Sequence, residues 1–233
     1  EGAQIINQAG GVFEIQNDSA IGYVGFGNGL AVTNSGILRK TAGAGTTAFN
    51  QVFNNSGAVE VASGTLTLAA GGSSSGTFTT SGSGLVNFTG AYTVTGGNFL
   101  GAPGTGGTRV AAGLNVTAAT GVGSATQTGL LTLVSGGSIG GGGALTIHAG
   151  SALAWTGGDM TGSGTTDVLA GGQLVLAGAA TKNFYHGSNG AGGRTLAITG
   201  NLNLLSASAL LIELGGTTAG AGHDLLAVTG SAG

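Results

Sequence analysis

The chain predicts an all-β fold, a parallel β-helix (β-solenoid) with three short strands per coil of roughly 20 residues. Apolar pairs separated by one residue recur along nearly all 233 positions, among them Val59/Val61, Leu66/Leu68, Val86/Phe88, Tyr92/Val94, Leu114/Val116, Leu131/Leu133, Leu145/Ile147, Leu153/Trp155, Leu174/Leu176, Leu196/Ile198, Leu202/Leu204, Leu210/Ile212 and Leu226/Val228. Fifty-three glycines and many small polar residues punctuate them, and Gly-rich stretches such as Gly136 to Gly143 break any helical period. Period two puts both members of a pair on one side of a strand. Strands only three to five residues long cannot bury that side alone, so successive coils must stack.

Taken in order, Gln4-Ile5-Ile6-Asn7 and Val12-Phe13-Glu14-Ile15 are strand-like but irregular, and Asn28-Gly29 suits a hairpin turn or a solenoid corner. Further on, two step lengths alternate. Short steps, seven residues from Val59 to Leu66 and eight from Leu145 to Leu153 and from Leu202 to Leu210, predict a corner between two faces. Ser63-Gly64, Ala149-Gly150-Ser151 and Ser206-Ala207-Ser208 supply the turn chemistry there. Long steps, 20 from Leu66 to Val86, 21 from Leu153 to Leu174 and 22 from Leu174 to Leu196, predict one full coil. On that reading Leu174/Leu176 lie directly beneath Leu196/Ile198. Ten or eleven coils about 4.8 Å apart make a rod on the order of 50 Å long. Residues 97–113 and 181–195 lack a clean pair and hold the single Pro and three of the five cations, so they are expected to project as loops. No composition shift divides residues 1–233, which read as one domain.

A net charge of −3 and five scattered cations, Arg39, Lys40, Arg109, Lys182 and Arg194, provide no basic stripe, which argues against a nucleic-acid partner. The absence of cysteine removes disulfide and thiolate chemistry. No run approaches the roughly 18 apolar residues of a membrane span, so no membrane insertion is expected of this segment. Glu1-Gly2-Ala3-Gln4 lacks a leader pattern, which suggests a mature product or an excised piece. Both ends are strand-like without a capping helix or polar coil, so further coils or another copy stacked end to end are expected to cover them.

Motifs that could carry chemistry are sparse. Gly72-Ser73-Ser74-Ser75-Gly76 matches a nucleophile pattern that needs a following helix, and none is predicted. His148, His186 and His223 share no ligand spacing, and only His223-Asp224 sits beside an acid. Of the eight acids, Glu1, Glu14, Asp18, Glu60, Asp159, Asp167, Glu213 and Asp224, Glu60 and Glu213 point outward from their strands. Asp159 and Asp167 lie eight apart and read as a solvated loop, although a shared corner there could bind calcium. The triplets Thr65-Leu66-Thr67, Thr77-Phe78-Thr79 and Thr93-Val94-Thr95 could bind ice only on one face, and spacings of 12 and 16 do not put them there. Sequons occur at Asn17-Asp18-Ser19, Asn54-Asn55-Ser56, Asn87-Phe88-Thr89 and Asn115-Val116-Thr117. The sequence therefore predicts no catalytic residues, no cofactor and no metal site. The alternative is a polysaccharide-cleaving enzyme, for which Lys182, Tyr185, His186 and Arg194 would have to meet Asp159 or Asp167 in a groove.

From Phe53-Asn54-Asn55-Ser56-Gly57-Ala58-Val59-Glu60-Val61 through Ala62-Ser63-Gly64-Thr65-Leu66-Thr67-Leu68, the chain resembles the coil repeats of large bacterial exported proteins, autotransporter passengers and filamentous-haemagglutinin-like adhesins. The stretch from Leu210 to Gly220 and on to Gly230 is similar to segments that precede further strands in such proteins. The resemblance implies a right-handed β-helix outside the cell, a non-catalytic stalk, adhesin or filament that self-associates or binds surface glycans. It brings no catalytic residues.

Overall fold

Side-chain alternation is realised face by face. The computed structural model describes residues 4–22, 31–101, 106–184, 195–198, 201–204, 211–212 and 226–228. Its strands form three parallel sheets, one on each side of the solenoid, with no helix among the described residues. The first face stacks Gln4–Asn7, Ala31–Asn34, Val52–Asn55, Gly72–Ser74, Tyr92–Val94, Gly113–Val116, Ser138–Gly140, Gly158–Met160, Lys182–Phe184 and Leu211–Ile212. The second stacks Val12–Ile15, Ile37–Lys40, Ala58–Val61, Thr77–Thr80, Asn98–Gly101, Thr120–Val122, Leu145–Ile147, Thr165–Val168, Thr195–Ile198 and Leu226–Val228. The third holds the eight strands Thr46–Phe49, Thr65–Leu68, Leu85–Phe88, Gly107–Val110, Leu130–Leu133, Ala152–Trp155, Gln173–Leu176 and Asn201–Leu204. Eight coils thus show all three strands. The flanking coil at the start contributes two strands, and Ile21 bridges to Phe49 where its third would lie.

The expected stacking holds for Leu66 on Val86 and Leu153 on Leu174. It fails for the next step. Leu174 stacks on Leu202, while Leu196 lies on the second face, paired with Thr166. The coil that includes residues 185–194 takes more chain than the one before it, so at Leu196 the turn is still one face short of closing. Leu174, Leu176, Leu196 and Ile198 are nevertheless all buried.

Most of the segment 97–113 is likewise strand rather than loop, among its described residues. Asn98–Gly101 and Gly107–Val110 are strands of the second and third faces, with Phe99, Thr108 and Val110 buried. One aromatic, or a threonine and a valine, occupies the inward positions where an apolar pair was sought. In 181–195, Lys182–Phe184 is a strand of the first face. Asn28-Gly29, Ser206-Ala207-Ser208, Tyr185, His186, Arg194, Glu213, His223 and Asp224 lie outside the described residues.

Buried pairs from every face fill the narrow interior as continuous ladders, and each fully buried Leu, Val or Ile contributes about 1.5–3 kcal/mol. Where the ladders need more volume, aromatics cluster. Phe88 and Tyr92 rings stand 4.7 Å apart, and Phe78 packs edge-on to Phe88 at 5.3 Å. Tyr92 fits because Gly72 is the rung below it. Its hydroxyl reaches back past that glycine to the carbonyls of Phe53 (2.9 Å) and Ser73 (3.0 Å). The corner after the first face is built on stacked glycines. A Cβ on Gly57 would strike the carbonyl oxygen of Gly36, and one on Gly76 that of Gly57. The same carbonyls accept the amides of Ala58 (2.9 Å) and Thr77 (3.0 Å), so the hydrogen bonds that hold the corner require the glycines' close approach.

Candidate functional site

The most organised polar feature lies inside the solenoid. Asn7, Asn34, Asn55 and Ser74 end four successive strands of the first face at one inward register position. Asn7 Nδ2 donates to Asn34 Oδ1 at 2.7 Å, Asn34 Nδ2 to Asn55 Oδ1 at 2.8 Å, and Asn55 Nδ2 to Ser74 Oγ at 3.0 Å. The second amide hydrogen reaches the next corner, from Asn7 to the Ile37 carbonyl (2.9 Å) and from Asn34 to the Ala58 carbonyl (3.0 Å). Buried amides are tolerable only when bonded, and here each bonds to the rung above. The signal was present in the sequence as Asn34-Ser35-Gly36 and Asn55-Ser56-Gly57 at the same place in successive coils. A search for apolar pairs passed over it.

Two lysines are also fully buried, because each occupies an inward strand position at a corner. Lys40 Nζ donates to the Asn17 carbonyl (2.7 Å), Asp18 Oδ1 (2.8 Å) and the Ala42 carbonyl (2.9 Å). Asp18 also accepts from Gly45 N–H at 3.0 Å, and Thr47 Oγ1 donates to the Asn17 carbonyl at 2.8 Å. The Lys40 hydrogen bond, then the Gly45 amide, hold the Asp18 carboxyl below its ordinary range. This cluster pins the segment after Ile15 in the place of the first coil's third strand. Lys182 Nζ donates to the carbonyls of Gly178 and Ala180, both at 2.9 Å, and burial pulls its pKa down. Lys182 therefore faces the interior rather than an open groove.

The outer faces are mostly neutral. Asp159 and Asp167 stand on strands of the first and second faces, not in one loop, and are occupied locally. Asn183 Nδ2 donates to Asp159 at 2.9 Å, and Thr165 Oγ1 to Asp167 at 3.0 Å. Glu14, Arg39 and Glu60 form one outward register on the second face, and hydrogen bonds from Gln16 and Thr41 lower the Glu14 pKa. His148 follows the strand Leu145–Ile147 and is half-buried. Among the described residues no three His, Cys, Asp or Glu side chains are grouped to hold a metal ion. The Gly72-to-Gly76 match is an internal strand and its corner, in which the buried Ser74 Oγ accepts from Asn55 and from Gly76 N–H (3.1 Å). The three Thr triplets fall on three different faces.

Shallow depressions mark the outer surface. One of about 300 Å³ on the first face is lined by Thr93, Asn115, Ser138, Gly140 and Thr161, and one of about 360 Å³ by Thr79, Leu100, Thr126, Gln127 and Thr128. Neither contains an acid, a histidine or a cation. Their chemistry is that of neutral hydrogen-bonding surfaces. No family model matches the chain, and no curated protein or solved structure matches it.

Proposed function

We propose that the chain is a non-catalytic structural and adhesive rod outside the cell, a stalk, adhesin passenger or filament segment built by stacking coils. The carrying observation is the continuity of the core, in which the inward residues of three parallel sheets stack rung upon rung. A solenoid of this kind lengthens by adding rungs, from more coils or another copy. The hydroxyl- and amide-rich outer faces suit neutral surface glycans better than nucleic acid. Electron microscopy with intact mass tests the proposal, with fibres or longer rods expected. Discrete monomers with both ends closed by a helix or folded-back loop would overturn it. So would turnover of pectin-like glycans that is lost on alanine replacement of His148, His186, His223, Asp159 or Asp167.

A further inference from the structure

We infer that the segment 17–21 is an acid-released latch on one side of the first coil, which lets go, with the neighbouring coils intact, when the Asp18 carboxylate takes up a proton. The latch works within one coil, so it stands apart from the reading of the chain as a rod.

The hold on this segment is mostly polar. Residues 17–21 form no strand, and two backbone bonds join them to the third face, from Ile21 N–H to the Ala48 carbonyl (2.8 Å) and from Asn50 N–H to the Ile21 carbonyl (3.0 Å). Asp18 supplies much of the rest. Its Oδ1 accepts from Lys40 Nζ and its Oδ2 from the Gly45 amide, and glycines at 43 and 45 leave the space that the carboxylate fills, since a Cβ on either would strike it. The Asn17 carbonyl beside it receives both Lys40 Nζ and Thr47 Oγ1. The Lys40 side chain is fully buried while that of Asp18 is 41% exposed, so water reaches the acid but not the ammonium.

That asymmetry makes the latch bistable. Protonating Asp18 leaves the closed form with an ammonium buried against carbonyls alone, and a buried charge that loses its partner is strongly destabilising. Opening removes the cost, because moving 17–21 away lets water reach Lys40 Nζ. The ladders of the next coils, Phe53, Val59 and Leu66 among them, are apolar and indifferent to pH. The Lys40 hydrogen bond, then the Gly45 amide, hold the Asp18 carboxyl below its ordinary range, so the latch is closed above about pH 4 and opens as pH falls through the lower folded value. Of the other charges on the strands packed against the segment, Glu14 is engaged by Gln16 and Thr41, and Arg39 lies outward in register between Glu14 and Glu60. The strand Thr46–Phe49 carries none.

Hydrogen exchange of the intact chain, expressed as protection factors, is the test. Between about pH 6 and about pH 2.5 the amides of Ile21, Gly45 and Asn50 should lose at least about tenfold in protection. Those of Thr65 and Ala69, which donate to the Gly45 and Phe49 carbonyls from the next coil, should not. Asp18→Asn should show the loosened state already at neutral pH. Glu14→Gln should keep the acid transition, and its loss there would assign the transition to the wrong acid for this inference. The decisive variant combines Asp18→Asn with Lys40→Met, which leaves no buried ammonium in need of a partner. Its latch amides should regain protection at every pH. A double variant as loose as Asp18→Asn alone would show that the ammonium does not drive opening and would overturn the latch. Equal behaviour of all five amides across the pH range would do the same, since the segment would then not open as a separate unit. Should a variant fail to fold, the pH series on the unmodified chain decides alone.

Discussion

One register position on the first face is built by two chemistries. In the first four rungs it holds Asn7, Asn34, Asn55 and Ser74, and in the next two it holds Val94 and Val116, on the same parallel backbone ladder. The valines stabilise by burial, which is non-directional. Sliding an apolar strand by two residues keeps its inward side chains inward, so burial discriminates weakly between registers. Sliding Asn34 by two residues would separate it from both Asn7 and Asn55 and leave buried amides unbonded. The amide half of the solenoid thus specifies which residue stacks on which, and the apolar half supplies area. The buried lysines follow the same division. Lys40, in the amide half, meets a carboxylate and two carbonyls, while Lys182 meets two carbonyls and, among the described residues, no acid.

Leu176→Asp should have the largest effect, because it places an unpaired charge inside a narrow core next to Trp155, its in-register neighbour. A loss above about 4 kcal/mol, enough to unfold most of the chain, is expected. Thermal melts check it, and a midpoint within a degree or two of the parent would mean that the inward register is wrong. Next come two changes of opposite polarity. Asn34→Leu strips Asn55 Oδ1 of its donor and Asn7 Nδ2 of one acceptor, and should cost about 2–4 kcal/mol although it adds apolar volume. Val116→Asn buries an amide where the ladder has no amide, and should cost about as much. Denaturant midpoints for both variants test the division directly. If Asn34→Leu proved neutral, the amide run would be incidental packing.

What could be read from the sequence followed from physics that is local in the chain. Period-two pairs identified the inward residues of ten strands, from Val59/Val61 to Leu196/Ile198, since burial on a pleat depends only on alternation. Coil closure depends on summed loop lengths, so Leu174 was placed one face away from its true partner once the coil lengthened. Polar inward residues were the other blind spot. Lys182, Thr108 and the Asn run carry no apolar signal; cross-rung bonds make the burial of the Asn run tolerable, two carbonyls of its own coil receive Lys182, and Thr108 Oγ1 is buried without a partner. The absence of a catalytic cluster was an expectation from dispersed acids. The strand positions of Asp159 and Asp167 set those two apart on different faces, which spacing alone could not do.

A smaller effect should separate the two lysines by pH. Asp18 has its pKa lowered in the folded state, so its contribution is fully present above the ordinary carboxyl value near about 4 and is lost as pH falls through the lower folded value. Asp18→Asn should therefore flatten the acid limb of the stability profile and leave the alkaline limb alone. Urea midpoints from pH 2 to 7 would show it, and parallel profiles would remove the ion pair from the account.

The smallest change expected is Lys182→Met. Burial lowers the Lys182 pKa, so in the alkaline range below the ordinary lysine value of about 10.4 the unfolded chain holds more protons than the folded one. Stability then rises with pH across that range, because a desolvation cost borne by the charged ammonium is relieved as it deprotonates. Methionine keeps an unbranched apolar chain at the inward position and removes the cost at every pH. It also takes a charged donor from the Gly178 and Ala180 carbonyls, and the two effects oppose. The net change near neutrality should stay within about 1 kcal/mol in either direction. The discriminating readout is the slope. The parent's stability should climb as pH rises toward the ordinary lysine value of about 10.4 and the variant's should not, whereas equal slopes would mean that Lys182 sits in water rather than in the wall of the apolar half.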